Sequence, residues 1–281
     1  MTARLLLVCL AVGGTTACAS HGSRPAAPVA APRQVTLPVL LHGKPLTLHL
    51  AQPAVPADPR VLVLYASGDG GWFGTAVDMF HEIVGAGYLA VGFSSRAFLR
   101  IERPRGRALN PEQLALEYGQ ILDRAELGLG LPVSSTVVLT GWSRGAALAV
   151  LAGGEPLMAA RARAVIAIGL SDGEDLAVDE AADDDGVAAT GRTWPIQPYA
   201  RIAALGPTPV AVIQSTHDQY LPAARGRALF GADTASRRFL AVEATNHRFS
   251  GGKTAFASAF REALRWVVSA PPATTAAQEI P

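Results

Sequence analysis

Ser143 stands between an apolar, β-branched run and a small-residue segment, in Val137-Val-Leu-Thr-Gly-Trp-Ser-Arg-Gly-Ala-Ala-Leu-Ala-Val-Leu151. Glycines two residues before and two after a serine at a strand-to-helix turn raise a nucleophile over the sheet edge, because side chains at those flanking positions would clash in so sharp a turn. The N–H of Arg144, at the start of the following helix, is then placed to donate to an oxyanion. The chemistry expected of this group is acyl transfer through a serine ester. Gly169-Leu-Ser-Asp-Gly173 has the same spacing, but an acidic stretch over 174–186 follows it where the turn would need a compact apolar helix. Ser143 is therefore the expected nucleophile and Ser171 a strand-end loop residue.

An acylating serine needs a base, and the base needs an acid to orient it; in one well-known chain order the acid comes next and the histidine last. Pro209-Val-Ala-Val-Ile-Gln214 reads as a buried strand, with Asp218 in the polar loop after it. Arg238-Phe-Leu-Ala-Val242 reads as another strand, and His247 lies in the loop that leads to a last helix. Of the other histidines, His21 lies in a Pro/Ala linker, His42 and His49 in an early strand region, and His81 in an expected helix. His217 is the rival base, but it adjoins Asp218, and neighbouring side chains on an extended loop point apart. Asp172 is the rival acid, since it too follows a strand end.

A glycine-rich loop, Ser67-Gly-Asp-Gly-Gly-Trp-Phe-Gly74, follows the apolar run Val61-Leu-Val-Leu-Tyr-Ala66. Glycines let the backbone approach a reacting carbonyl, so Asp69 or Gly70 is the expected second oxyanion donor beside Arg144. The spacing of a phosphate-binding loop is absent, and acyl transfer of this kind calls for no metal or organic cofactor.

These residues need a sheet that holds them at one edge. Strands are expected near 35–41, 46–50, 61–66, 88–93, 136–140, 164–169, 209–214 and 237–242, and helices near 75–86, 111–127, 144–153, 223–230 and 254–268. The alternation predicts an α/β-hydrolase fold, a mostly parallel central sheet with helices on both faces. The first two strands, separated by His42-Gly-Lys44, are expected to form an antiparallel hairpin at one edge. Residues 171–199 have no period and read as a substrate-side insertion.

Outside this domain, set at residues 34–269, the chain changes character. Arg4 precedes Leu5-Leu-Leu-Val-Cys-Leu-Ala-Val12, too short to span a bilayer but long enough for a signal-peptide core, and Thr15-Thr-Ala-Cys18 follows. Residues 1–17 are thus expected to be a signal peptide, Cys18 a lipidation site, 18–33 a Pro/Ala-rich tether and 270–281 a disordered tail. A lipid-anchored periplasmic protein is the expectation, with Ala19 pointing to the outer membrane. Cys9 and Cys18 are the only cysteines, so the domain has neither a disulfide nor a cysteine metal site. A formal net charge of +1 gives no sign of nucleic acid as a partner.

The Ser67–Trp72 string, residues 92–99, Asn110-Pro-Glu-Gln113, the Ser143 turn, Gly169-Leu-Ser171 with its acidic sequel, and Asn246-His-Arg-Phe249 occur in an order that resembles the VirJ/AcvB family of bacterial virulence-associated proteins, over roughly residues 60–268. The resemblance implies an α/β-hydrolase fold, a periplasmic location and hydrolysis of the lysyl or alanyl ester of aminoacyl-phosphatidylglycerol, a membrane-lipid substrate. It differs where the family often has Gly-Tyr-Ser-Phe-Gly-Ala-Asp around the serine and Gly-His-His-Phe around the histidine. On this reading Trp72 and Trp142 are candidate pocket walls, and Asp69, Asp172 and Glu174 are candidates to accept the amino group of the substrate.

Overall fold

The computed structural model describes residues 32–101, 109–131, 136–176 and 195–270. Strands β1 (Arg33–Leu41) and β2 (Lys44–Gln52) pair antiparallel through a turn in which His42 (φ 51°) and Gly43 (φ 78°) are both left-handed. That two-residue geometry matches the right-handed twist of the strands it joins. The chain continues through β3 (Val61–Ala66), α1 (Thr75–Gly85), β4 (Leu89–Phe93), the short α2 (Ser95–Leu99), α3 (Pro111–Leu129), β5 (Thr136–Trp142) and α4 (Arg144–Gly153). After these come α5 (Pro156–Ala159), β6 (Ala162–Ile168), a two-residue ribbon of β7 (Glu174–Asp175) and β8 (Pro195–Ile196), α6 (Pro198–Arg201), β9 (Val210–Ser215), α7 (Ala223–Phe230), β10 (Arg237–Val242) and α8 (Lys253–Ser269).

Eight strands form one sheet in the order β1-β2-β4-β3-β5-β6-β9-β10. Only the β1/β2 and β2/β4 pairings are antiparallel; the pairings from β4 through β10 are parallel. Every residue of β3, β4 and β9 is buried, the continuous apolar pattern of strands covered on both faces. One face packs under α1 and α8 through Phe80, Ile83, Phe260 and Leu264. The other packs under α3 and α4 through Leu114, Ile121, Leu148 and Leu151. Each of the eight sheet strands and the five long helices lies where the sequence predicts it, with ends shifted by two residues or less at most positions.

The short α2, α5 and α6 and the β7/β8 ribbon were not legible in the sequence. One helical turn shows no period, and a two-residue ladder is shorter than any alternation. The expected signal peptide, Cys18, Ala19, the tether up to residue 31, the tail from 271 and positions 177–194 of the expected insertion lie outside the described residues. Among the described residues no helix is long and apolar enough to cross a membrane.

Candidate functional site

Because β3, β5, β6, β9 and β10 run parallel, their C-terminal ends deliver their loops to one edge, and a cleft of about 540 Å³ opens there. Ser143 enters it from the β5–α4 turn with φ 56° and ψ −122°, a strained backbone for a non-glycine residue. A Cβ on Gly145 would lie 2.1 Å from the Ala66 carbonyl oxygen, and one on Gly141 would lie 2.2 Å from the Gly145 carbonyl. Only glycine fits either place, so the sequence spacing and the turn have one steric cause. Ser143 N–H donates to the Ile168 carbonyl at 2.8 Å, which ties the turn to the end of β6.

His247 and Asp218 meet beside it, with His247 Nδ1 2.6 Å from Asp218 Oδ2 and both residues buried. Asp218 is held from several sides. Its Oδ1 accepts from the N–H groups of Tyr220 (2.9 Å) and Leu221 (3.4 Å), and its Oδ2 also accepts from Gln214 Nε2 at 3.0 Å. A buried carboxylate with this set of donors is fixed in place and compensated for lost water. The imidazole is wedged between Trp142, stacked at 5.4 Å, and Tyr220, edge-on at 5.0 Å. Gly169 leaves it room, since a Cβ there would come within 2.8 Å of His247 Cε1. His247 Nε2 is buried and has no hydrogen-bond partner among the described residues.

The rivals are placed elsewhere. The His217 ring is 68% exposed, bonded to the Ala244 carbonyl and facing Glu243. His42 Nε2 lies 2.8 Å from the buried Glu117 carboxylate, and His49 and His81 line a separate groove. Asp172 lines the cleft but pairs with Arg225 at 3.2 Å, not with a histidine. Ser171 Oγ donates to Glu174 at 2.9 Å.

Of the expected substrate contacts, Asp69, Trp142, Asp172 and Glu174 line the cleft, and Trp72 does not. Gly71 (φ 94°) turns the chain back, and Trp72 stacks on His49 at 4.1 Å and lies edge-on to Phe80 at 5.1 Å, in the groove beside the hairpin. Gly70 is likewise not a cleft residue and lies against the Phe73 ring. Asp69 is thus the better-placed second N–H. Neither the Asp69 nor the Arg144 N–H makes a backbone hydrogen bond among the described residues.

Several residues that build the site went unread in the sequence. Gln214 braces Asp218 and also donates to the Leu221 carbonyl at 2.6 Å; the signal was an amide closing an otherwise apolar strand. Gln219 accepts the His247 N–H at 3.0 Å. Ser95, on α2, donates to the Gly68 carbonyl at 2.8 Å, and Gly71 N–H donates to the same oxygen at 3.1 Å, so the loop carrying Asp69 is pinned from two directions. The Arg144 side chain reaches Glu174 at 2.9 Å, which joins the β7/β8 ribbon to the serine turn.

No protein-family profile and no curated protein sequence matches the chain. Solved structures do. Est1E from Butyrivibrio proteoclasticus superposes with a TM-score of 0.60 at 12% identity, covering 83% of this chain and 99% of its own. A dienelactone hydrolase from Anabaena variabilis gives 0.57 at 17% identity, over 84% and 98%. XC6422 from Xanthomonas campestris, described as an α/β serine hydrolase without a lid, gives 0.56 at 14% identity, over 85% and 97%. Likenesses this distant in sequence speak to architecture, and the architecture is the α/β-hydrolase fold.

Proposed function

We propose that the protein is a serine carboxylic-ester hydrolase and that its substrate is the lysyl or alanyl ester of aminoacyl-phosphatidylglycerol. The observation that carries the hydrolase reading is the buried His247–Asp218 pair at 2.6 Å, in which His247 Nε2 has no hydrogen-bond partner among the described residues and lies in a cleft that Ser143 also lines. Ser143 Oγ attacks the ester carbonyl carbon as its proton passes to His247 Nε2, and Asp218 holds the Nδ1–H tautomer. The Asp69 and Arg144 N–H groups receive the oxyanion. Collapse breaks the ester C–O bond, and the proton on Nε2 goes to the leaving alcohol. Water repeats the sequence on the acyl-enzyme, giving its proton to Nε2 and freeing the amino acid and Ser143.

The substrate reading rests on the family resemblance and is supported by the acidic cleft wall. Glu174 is engaged by Arg144 and Ser171, and Asp172 by Arg225. The Asp69 carboxylate is exposed and has no partner among the described residues, so it is the group offered to the substrate's ammonium. A lipid anchor at Cys18 would hold the enzyme in the periplasm next to its lipid.

Purified protein is incubated with vesicles carrying lysyl- or alanyl-phosphatidylglycerol, beside Ser143→Ala and with a fluorophosphonate probe. Amino acid released by the wild type alone, with labelling at Ser143, supports both readings. Labelling without release removes the lipid substrate and keeps the hydrolase. A folded wild type that is neither labelled nor active removes both. Asp69→Asn is expected to lower turnover of the aminoacyl lipid roughly tenfold more than that of p-nitrophenyl butyrate, the range of one charge-assisted bond; equal losses would leave Asp69 only shaping the loop.

A further inference from the structure

We infer that Arg248 reads a phosphate on the alcohol half of the substrate, a proposal that rests on the hydrolase reading above. In that reaction His247 must hand its proton to the leaving alcohol, so the alcohol lies on the side of the histidine loop, while the carbonyl oxygen faces the Asp69 and Arg144 N–H groups. Arg248 follows the base directly and lines the same cleft. Its backbone is fixed. Asn246 Oδ1 accepts the N–H groups of Arg248 (2.9 Å) and Ser250 (3.2 Å), and the next residue, Phe249, is buried with φ 56°.

The side chain, by contrast, is exposed and has neither an ion pair nor a hydrogen bond among the described residues. Other cleft charges are spoken for: Glu174 by Arg144, Asp172 by Arg225, and Asp175 by a contact of its own. Asp69, in the loop after β3, and Arg248, in the loop after β10, remain as the lining charges without partners among the described residues. Arg248 thus offers an unpaired positive charge beside the base, on the side of the alcohol, and Asp69 an unpaired negative charge on the loop that receives the carbonyl. An ester with an ammonium in its acyl half and a phosphate in its alcohol half has the complementary polarity, and a guanidinium offers paired donors to phosphate oxygens.

The test compares two soluble esters with one acyl group, alanyl glycerol 3-phosphate and alanyl glycerol, and reads the ratio of their kcat/KM values. Wild type is expected to favour the phosphate-bearing ester roughly ten- to a hundredfold, with the ratio compressed by added salt. Arg248→Ala should bring the ratio close to one, Arg248→Lys should restore part of it, and Arg248→Glu should invert it, each with an unchanged circular dichroism spectrum. A ratio that Arg248→Ala does not move overturns the proposal. So does an effect confined to vesicle-borne lipid, which would make Arg248 a contact with the anionic membrane surface. Wild type that cleaves both esters without preference ends this proposal and spares the hydrolase; wild type that cleaves neither, and matches Ser143→Ala, ends both.

Discussion

Trp142 lies against His247 with ring centroids 5.4 Å apart, and Trp72 lies against His49 at 4.1 Å with the two rings nearly parallel. The second stack is the tighter, yet the proposed chemistry belongs to the first. Stacking fixes the plane of an imidazole, but a base also needs a group that sets its tautomer and a reactant within reach. His247 has the braced carboxylate of Asp218 behind it and shares a cleft with Ser143. His49 sits on β2, near the antiparallel edge, in a groove of about 490 Å³ walled by Val35, Trp72 and Phe80, with no hydrogen-bond or ion-pair partner among the described residues. Burial alone acts on it, and pushes its pKa down.

The sharpest way to break this comparison is to remove each histidine. His247→Ala is expected to lower kcat on the aminoacyl ester by about 10⁴-fold or more, as when one member of a triad is lost, whereas His49→Ala leaves kcat within about twofold, a change too small to involve the chemistry. A His49 variant as inactive as the His247 variant would put the active centre in the wrong groove. Next in size is the acid. Asp218→Asn keeps the shape but offers the wrong partner to Nδ1, and a loss of about 10²- to 10⁴-fold is expected. His217→Ala, which removes an exposed ring, should cost little; the reverse ranking would show that the 2.6 Å contact does not orient the base.

A third contrast concerns the glycine floor behind each stack. At Gly169 the backbone is left-handed (φ 59°) and an added Cβ would press on His247 Cε1 at 2.8 Å; at Gly92 it would meet Trp72 Cη2 at 2.0 Å and Phe80 Cδ2 at 2.9 Å. Gly169→Ala should therefore act on the base, reducing kcat about tenfold or more as the imidazole shifts. Gly92→Ala should act on packing, costing about 1–3 kcal/mol with kcat retained. Thermal melts beside steady-state kinetics separate the two. If Gly92→Ala lost activity without losing stability, the hairpin groove would be coupled to the cleft.

The same two stacks show what the sequence made legible. The Ser143 turn, Asp218 and His247 each follow an apolar strand, and a parallel sheet brings strand ends together whatever lies between them in the chain, so local patterns were enough to expect these three residues at one edge. Trp72 was misplaced because Ser67–Trp72 reads as one continuous loop, and only the reversal at Gly71 decides which side of the sheet the indole reaches. Gln214, Ser95 and the Arg144–Glu174 pair act across distances of 4, 27 and 30 residues. Apart from the amide one residue before the end of β9, no spacing rule marks them in a single sequence.

The smallest effect expected is a pH dependence of stability carried by the second stack. Burial holds the folded His49 pKa below the ordinary 6.5, so as the pH drops past that value the unfolded chain takes up a proton that the folded imidazole resists. Stability contributed by neutral His49 is then complete above about pH 6.5 and is lost as the pH falls from there toward the folded value. His49→Phe keeps a ring against Trp72 and removes the titration, while His81, which lines the same groove, is present in both proteins and cancels in the difference. Since His49 is only half-buried, the wild-type melting temperature should fall between neutral pH and about pH 5 by on the order of a degree more than that of the variant. Equal slopes would mean that the imidazole is as well hydrated in the groove as in the unfolded chain, and the Trp72–His49 stack would then be a surface contact with no part in the energetics of this edge of the sheet.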